Sequence, residues 1–213
     1  MARQIYTNIQ RRRREGKTNY KSRRAALLSR NILIVPRFTS KYVLIQFINP
    51  TITGDIVIAS FHSKKLSTYG WKGSGNNLPA SYLSGLVSGY LLKEKSAILY
   101  VGVKRFVPGS RLAGLLKGLI DSKINVNVNE EILPPSSRIN GEHISSYADS
   151  ISNDSKDLKQ PFNLLKTKLD PVDYPKHFKE VKENIVKNFS EAKPKKSSGK
   201  SKSTTKKNVK NIE

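Results

Sequence analysis

Three apolar segments rich in β-branched residues follow one another in the first third of the chain. They read NILIVPRFT, KYVLIQFIN and DIVIASFHS, and short turns at Ser40-Lys41 and at NPTITGD separate them. Runs of this kind, bounded by turn residues, are typical of β-strands. The pattern therefore predicts an antiparallel meander of three successive strands.

Helical spacing begins after the meander. Residues 78–93 place Ser81, Gly85 and Gly89 four positions apart, which predicts a helix whose small face approaches a neighbouring layer closely. SAILYVGV indicates a short strand, and an apolar stripe then predicts a second helix. That stripe consists of Leu112, Leu115, Leu116, Leu119 and Ile120. A meander followed by helix, strand and helix predicts an α/β layered domain with a mixed sheet.

The rest of the chain divides by composition. Further helices are predicted from about Asn19 to Arg30 and over residues 136–150 and 173–190, the last with Phe178, Val181, Ile185 and Phe189 on one face. The end of the chain is Lys, Ser and Thr with almost nothing apolar, which predicts disorder. We therefore expect a basic segment at 1–24, an α/β domain at 25–150, a helical extension at 151–190 and a Lys-rich tail at 191–213.

The charge points to a polyanionic partner. Lys and Arg number 39 against 16 Asp and Glu, and the formal net charge is +23. Such an excess makes nucleic acid the leading partner class and an anionic membrane surface the second. No apolar run is long enough to span a membrane, and no apolar stretch at the start resembles a signal peptide. The chain has no cysteine, which excludes disulfides and thiol chemistry.

The segment GWKGSGNNLPASYL, residues 70–83, contains the only tryptophan. A Walker loop needs Gly-Lys-Ser/Thr at its end, and here Asn76 and Asn77 stand in those places. One interpretation is structural: the glycines supply positive φ and Asn77 caps the next helix. The other is an RNA-facing surface, in which His62, Lys64, Lys65 and Lys72 hold phosphates while Tyr69 and Trp71 stack on bases. The sequence leaves both interpretations open.

The arginine run at Arg11–Arg14 favours RNA contact over a solvated charge run. Four adjacent arginines cannot share one face of a helix, so we expect an extended strap that touches phosphates on several sides. Catalytic chemistry finds little support, because His62, His143 and His177 are scattered and no metal-ligand spacing occurs. We therefore expect no enzyme, no metal and no cofactor. The alternative is an RNA-processing phosphoryl-transfer enzyme, which would need clustered carboxylates and magnesium.

Several stretches together resemble one family. They are RRRREGKTNYKSRRAALLSR, IASFHSKKLSTYGWKGSGNNLPASYLSGLVSG, PGSRLAGLLKGLIDSKINV, EEILPPSSRINGEHISSYA and DPVDYPKHFKEVKENI, and they cover nearly all of the chain from Arg11 to about Phe189. The chain is similar to the archaeal branch of the large-subunit ribosomal proteins that bind 5S rRNA, number eighteen in bacteria and archaea and number five in eukaryotes.

The resemblance implies a cytoplasmic protein of the large ribosomal subunit. It would clasp 5S rRNA in the central protuberance, beside neighbouring ribosomal proteins, and help join it to the large-subunit rRNA. It also implies a three-layer α/β/α domain with a mixed central sheet, of the ribonuclease H-like type found in the translational machinery, without the nuclease carboxylates. The residues implied in RNA contact are Arg11, Arg12, Arg13, Arg14, Lys17, Tyr20, Arg23, Arg24, His62, Lys64, Lys65, Trp71 and Lys72.

Overall fold

The central element is a mixed four-stranded sheet. The computed structural model of the protein describes residues 8–92, 96–153 and 169–191. Strands β1 (Leu33–Phe38), β2 (Val43–Asn49) and β3 (Ile56–His62) form the predicted antiparallel meander. Strand β4 (Ile98–Leu99) pairs with β1 in parallel, which gives the order β3-β2-β1-β4. The mixed α/β architecture predicted from the sequence is confirmed.

Strand β4 is shorter than the apolar segment SAILYVGV predicts, and Pro36 gives the reason. The amides of Ile98 and Tyr100 donate to the carbonyl oxygens of Ile32 and Ile34 at 2.8 and 2.9 Å, so even-numbered residues of β1 turn their backbone groups toward β4. The next donor on that side would be Pro36, which has no N–H. The ladder therefore stops at Tyr100.

Helices occupy most of the remaining described chain. They are α1 (Arg11–Arg14), α2 (Tyr20–Ser29), α3 (Leu78–Leu91), α4 (Arg111–Asp121), α5 (Ser136–Asn140), α6 (Glu142–Asn153) and α7 (Tyr174–Glu191), with 3₁₀ helices at Ser63–Tyr69 and Glu130–Ile132. Helices α2, α3, α4 and α7 confirm the predictions. The single helix predicted at 136–150 is instead two helices, because Gly141 adopts a φ of +84° between them. The predicted tail beyond Glu191, part of the predicted extension (154–168) and residues 1–7 lie outside the described residues.

Helices α3 and α4 lie side by side and run in the same direction. Leu78 at the start of α3 contacts Gly114 near the start of α4, and Gly89 near the end of α3 faces Ser122 just after α4. A Cβ at Gly85 would collide with the backbone carbonyl of α4, so only glycine allows this approach. The close packing predicted from the small residues of α3 is confirmed.

Two apolar clusters hold the layers together. In the first, Ile45 and Phe47 of the sheet pack with Leu115 of α4, and all three are fully buried. In the second, Leu83 of α3 packs with Phe178 of α7, so that α3 lies between the sheet and the last helix. Each fully buried large side chain contributes about 1.5–3 kcal/mol to stability. Helix α7 is therefore an integral part of this core.

Candidate RNA-binding surface

The loop of residues 70–77, called here the glycine-rich loop, joins the first 3₁₀ helix to α3. Gly70 has a φ of +90° and ends the 3₁₀ helix. Gly73 and Gly75 serve a different purpose, since a Cβ at Gly73 would come 2.7 Å from the Trp71 ring and one at Gly75 would come 2.8 Å from the Tyr42 ring. The glycines thus supply one left-handed turn and two close approaches.

Hydrogen bonds attach the end of this loop to two neighbouring elements. The Asn76 side chain donates to the carbonyl oxygens of Thr39 and Ser40 in the β1–β2 turn, at 2.6 and 3.0 Å. The Asn76 carbonyl oxygen accepts a bond of 3.1 Å from the guanidinium of Arg111 at the start of α4. Asn77 accepts from the Ala80 amide at 3.0 Å, which confirms its predicted role as the cap of α3.

An open cleft of about 560 Å³ lies beside the loop. Lys64 and Lys72 are exposed at its rim, and Tyr42 and Trp71 form part of its wall. Among the described residues neither lysine takes part in a salt bridge. Both ammonium groups are therefore available to an anion.

The stacking role expected for Trp71 is wrong. The side chain is only 6% exposed, and its indole N–H donates to the Ser74 carbonyl at 3.1 Å. One face of the ring stacks on His177 with centroids 5.3 Å apart, and the ring of Tyr174 meets it edge-on at 5.5 Å. Trp71 is a core residue, because aromatic partners from α7 occupy the surface that a base would need.

His177 also belongs to this site, although the sequence interpretation gave it no role there. Its Nε2 accepts a hydrogen bond of 3.1 Å from the Lys72 amide, across 105 positions of sequence. Burial lowers the pKa of His177, Lys72 lowers it further, and the carboxylate of Glu180 opposes both effects. The available signal was the spacing of Tyr174 and His177, which places them on one side of α7 beside its apolar face.

His62 and Lys65 are also expected to contact RNA. His62 lies directly before the first 3₁₀ helix, and Lys65 lies on it. The Nδ1 of His62 accepts from the Lys64 amide at 3.1 Å, and its ring lies 5.0 Å from that of Tyr42. His62 thus has a local structural role, whereas Lys65 is exposed. Neither observation tests their predicted contact with RNA.

The arginine run does not form the extended strap expected from the sequence. Arg11–Arg14 form one helical turn, and all four side chains are exposed. Arg11 and Lys17 both pair with Glu15, at 2.8 and 2.7 Å, and these bonds lower the pKa of the Glu15 carboxyl. A single turn can present arginines in all directions, so the geometric argument for an extended chain does not hold.

Helix α2 supplies three further residues predicted to contact RNA. Tyr20 and Arg24 are exposed. Arg23 instead makes two bonds to the carboxylate of Asp55, at 3.0 and 2.8 Å, which attach α2 to the segment before β3. This pairing raises the pKa of Arg23 and occupies much of its guanidinium.

Four more cations adjoin the predicted set. Arg37 and Lys104 line a cleft of about 370 Å³ together with Arg12 and Lys17. Lys104 also lines a cleft of about 200 Å³ with Arg105 and Arg111, whose guanidinium lies 5.3 Å from the centre of the Phe38 ring. The signal that could have located three of these four cations is the segment VGVKRFVPGSR, which carries Lys104, Arg105 and Arg111 in a turn and at the start of a helix.

The cleft beside the glycine-rich loop and the cleft beside Arg111 lie at one edge of the domain, where β1 and β4 end and where α3 and α4 begin. We call it the basic edge, and its cations are Arg37, Lys64, Lys72, Lys104, Arg105 and Arg111. Because α3 and α4 are parallel, both helices present their positive N-terminal ends here. The edge therefore favours a partner with many negative charges.

Two other site types find no basis in the described residues. They contain no group of three or more His, Cys, Asp or Glu side chains that could hold a metal ion. Within the same residues, no helix is long and apolar enough to cross a membrane.

Comparison with known proteins supports the resemblance. Residues 4–96 match the family described as "Ribosomal large subunit proteins 60S L5, and 50S L18". Large ribosomal subunit protein uL18 of Ignicoccus hospitalis is 43% identical over 196 residues, which are 89% of this chain and 95% of that protein. The uL18 proteins of Methanothermobacter thermautotrophicus and Thermofilum pendens are each 41% identical over 179 residues, 82% of this chain and 92% and 91% of theirs. The chain belongs to the uL18 family of large ribosomal subunit proteins.

Proposed function

We propose that this protein binds 5S rRNA and helps attach it to the large-subunit rRNA in the central protuberance, among neighbouring ribosomal proteins. Membership of a large-subunit protein family supports an rRNA partner. The observation that carries the proposal is the basic edge, where Lys64 and Lys72 form no salt bridge with any described residue and where the N-termini of α3 and α4 lie side by side. Such an edge matches the phosphate backbone of RNA.

The proposed mechanism is non-enzymatic. The folded domain fixes the geometry while lysines and arginines neutralise phosphates and release counterions. The proposed contacts are the residues predicted from the sequence, apart from Arg23 and Trp71, together with the cations of the basic edge that the sequence interpretation missed. They are Arg11, Arg12, Arg13, Arg14, Lys17, Tyr20, Arg24, Arg37, His62, Lys64, Lys65, Lys72, Lys104, Arg105 and Arg111.

The enzyme alternative is less well supported than the binding role. A phosphoryl-transfer site needs carboxylates that converge on a metal ion. In this fold Asp55 is bonded to Arg23, and Asp121 accepts a bond of 2.6 Å from the Tyr82 hydroxyl. Lys117 pairs with the same Asp121 carboxylate at 3.2 Å. Both carboxylates therefore already have structural partners.

We also propose the finer fold assignment that the resemblance implied and the division of the chain that its composition indicated. A meander followed by a helix and a strand parallel to β1 is consistent with the ribonuclease H-like type. The proposed units are 1–24, 25–150, 151–190 and 191–213. Within the third unit, α7 packs into the core of the second.

Selection of 5S rRNA from total RNA tests the proposal. The full chain, immobilised, should retain 5S rRNA far above its share of the input, whereas a variant that begins at Ala25 should retain less. Equal retention of 5S rRNA, tRNA and fragments of other rRNA by the full chain would contradict the proposal. Full selectivity in the shortened variant would instead assign recognition to the α/β domain and its basic edge.

A further inference from the structure

One turn of α7 contacts both ends of the glycine-rich loop. At the start of the loop, the Lys72 amide donates to His177 Nε2 at 3.1 Å. At its end, the side-chain amide of Asn77 donates to the hydroxyl of Tyr174. Tyr174 and His177 are three residues apart, so they project from the same side of the helix.

The packing between these two bonds leaves the loop little freedom. Trp71 lies against both aromatic rings of α7, stacked on His177 and edge-on to Tyr174. A Cβ at Gly73 would come 2.9 Å from the Tyr174 hydroxyl, so the loop backbone passes directly over this group. Contacts with α7 therefore hold the loop in the conformation that exposes the Lys72 ammonium to the cleft.

The bond to Lys72 requires a neutral imidazole. A ring nitrogen accepts a hydrogen bond only when it carries no proton, so protonation of His177 would place two donors opposite each other. The charges that act on the ring are Glu180 of the same helix and Lys72 of the loop, while Arg138 of α5 acts on His143 instead. Since the pKa of His177 is lowered, the bond is intact above the ordinary value of 6.5 and is lost as the pH falls through the lowered value.

We propose that His177 is a positioning residue for RNA binding, which holds Lys72 and the glycine-rich loop in the conformation that meets RNA. This inference rests on the proposed function, because it assumes that the loop contacts 5S rRNA. It adds that recognition by the loop depends on a helix about 100 residues further along the chain. That helix lies outside residues 4–96, which match the family description.

Three full-length variants test this role through their affinity for 5S rRNA at pH 7.5. His177→Phe keeps an aromatic ring beside Trp71 but has no acceptor, and should bind about five- to tenfold more weakly, as expected for one lost buried hydrogen bond. His177→Gln offers a carbonyl oxygen that does not titrate, and should bind within about twofold of the wild type. His143→Phe is the matched control, because His143 is an exposed histidine at the start of α6, and this variant should bind as the wild type does.

A pH series separates positioning from a general effect on the fold. Between pH 7.5 and 5.5 the affinity of the wild type, divided by that of His177→Gln, should fall. This ratio removes the contribution of every titrating group other than His177. Trp71 is the single tryptophan, so its fluorescence should follow the same titration in the wild type and show none in His177→Gln.

The outcomes distinguish the two proposals. If the wild type shows no preference for 5S rRNA over tRNA, the proposed function fails. If the wild type is selective, and if thermal melting shows that His177→Phe is folded and it binds as tightly as His143→Phe, only the positioning role fails. If His177→Phe does not fold, the pH series decides, and identical pH dependence in the wild type and His177→Gln overturns the inference.

Discussion

Removing the two lysines at the rim of the cleft beside the glycine-rich loop should reduce the salt dependence of RNA binding by a calculable amount. Lys64 and Lys72 flank the cleft of about 560 Å³, and neither has an acidic partner among the described residues. Each is therefore expected to neutralise one phosphate. One contact contributes about 0.7 to the slope of log affinity against log salt for single-stranded RNA, and about 0.9 for a duplex.

The double variant Lys64→Ala/Lys72→Ala should accordingly lower the slope by about 1.4–1.8. If the variant and the wild type bind equally at about 1 M salt, where charges are screened, this slope gives a loss of affinity of about 25- to 60-fold at 0.1 M monovalent salt and of about five- to ninefold at 0.3 M. Filter binding or fluorescence anisotropy with 5S rRNA over this salt range measures both quantities. For the wild type, about eight phosphate contacts would give a slope between about −5 and −7.

The matched control removes a lysine from the opposite end of the parallel helices. Lys123 follows α4, is exposed and has a φ of 68°, which asparagine tolerates. Lys123→Asn should leave the slope unchanged. The reasoning is refuted if the double variant keeps the wild-type slope, or if Lys123→Asn lowers it as much per charge removed.

Three other substitutions test the structure. Trp71→Ala should lower the free energy of unfolding by about 3–5 kcal/mol in urea titrations, because the side chain is buried; a wild-type midpoint would contradict its place in the core. Gly85→Ala should lower the free energy of unfolding by about 1–3 kcal/mol, since the new Cβ meets the backbone of α4. Gly54→Ala is the control: it has open space around it and should change that free energy by no more than about 0.5 kcal/mol. Asp55→Asn should lower the free energy of unfolding by under about 1 kcal/mol, because its pair with Arg23 is about one-third exposed. The same substitution should raise RNA affinity about two- to threefold, because it frees the Arg23 guanidinium. Weaker binding would show that Arg23 needs this partner to reach RNA.

Local patterns were sufficient to predict the strands and the main helices. β-Branched runs identified β1 to β3, and the spacing of Ser81, Gly85 and Gly89 predicted the close approach of α3 to α4. These features follow from residues that are near one another in sequence. The length of β4 does not follow from its neighbours in sequence. It depends on Pro36, which lies on a strand more than 60 positions earlier.

The candidate site was predicted less completely for the same reason. Lysines and glycines flank Trp71, so its neighbours in sequence suggest an exposed side chain. The two rings that bury it belong to Tyr174 and His177, and nothing in the sequence around these residues indicates a contact with Trp71. Likewise, the cations at Arg37 and Arg105 join the basic edge only when β1 and β4 are placed side by side.

Pro36 also determines where the sheet gives way to a surface for a ligand. A residue with an N–H at this position would offer the Tyr100 carbonyl a partner, and the parallel ladder could continue through the segment that now turns away. Val101 and Val103 would then lie alongside β1, and the cleft of about 370 Å³ that they line beside Pro36 would narrow. A single missing donor thus sets the width of the opening through which the cations of this edge face their partner.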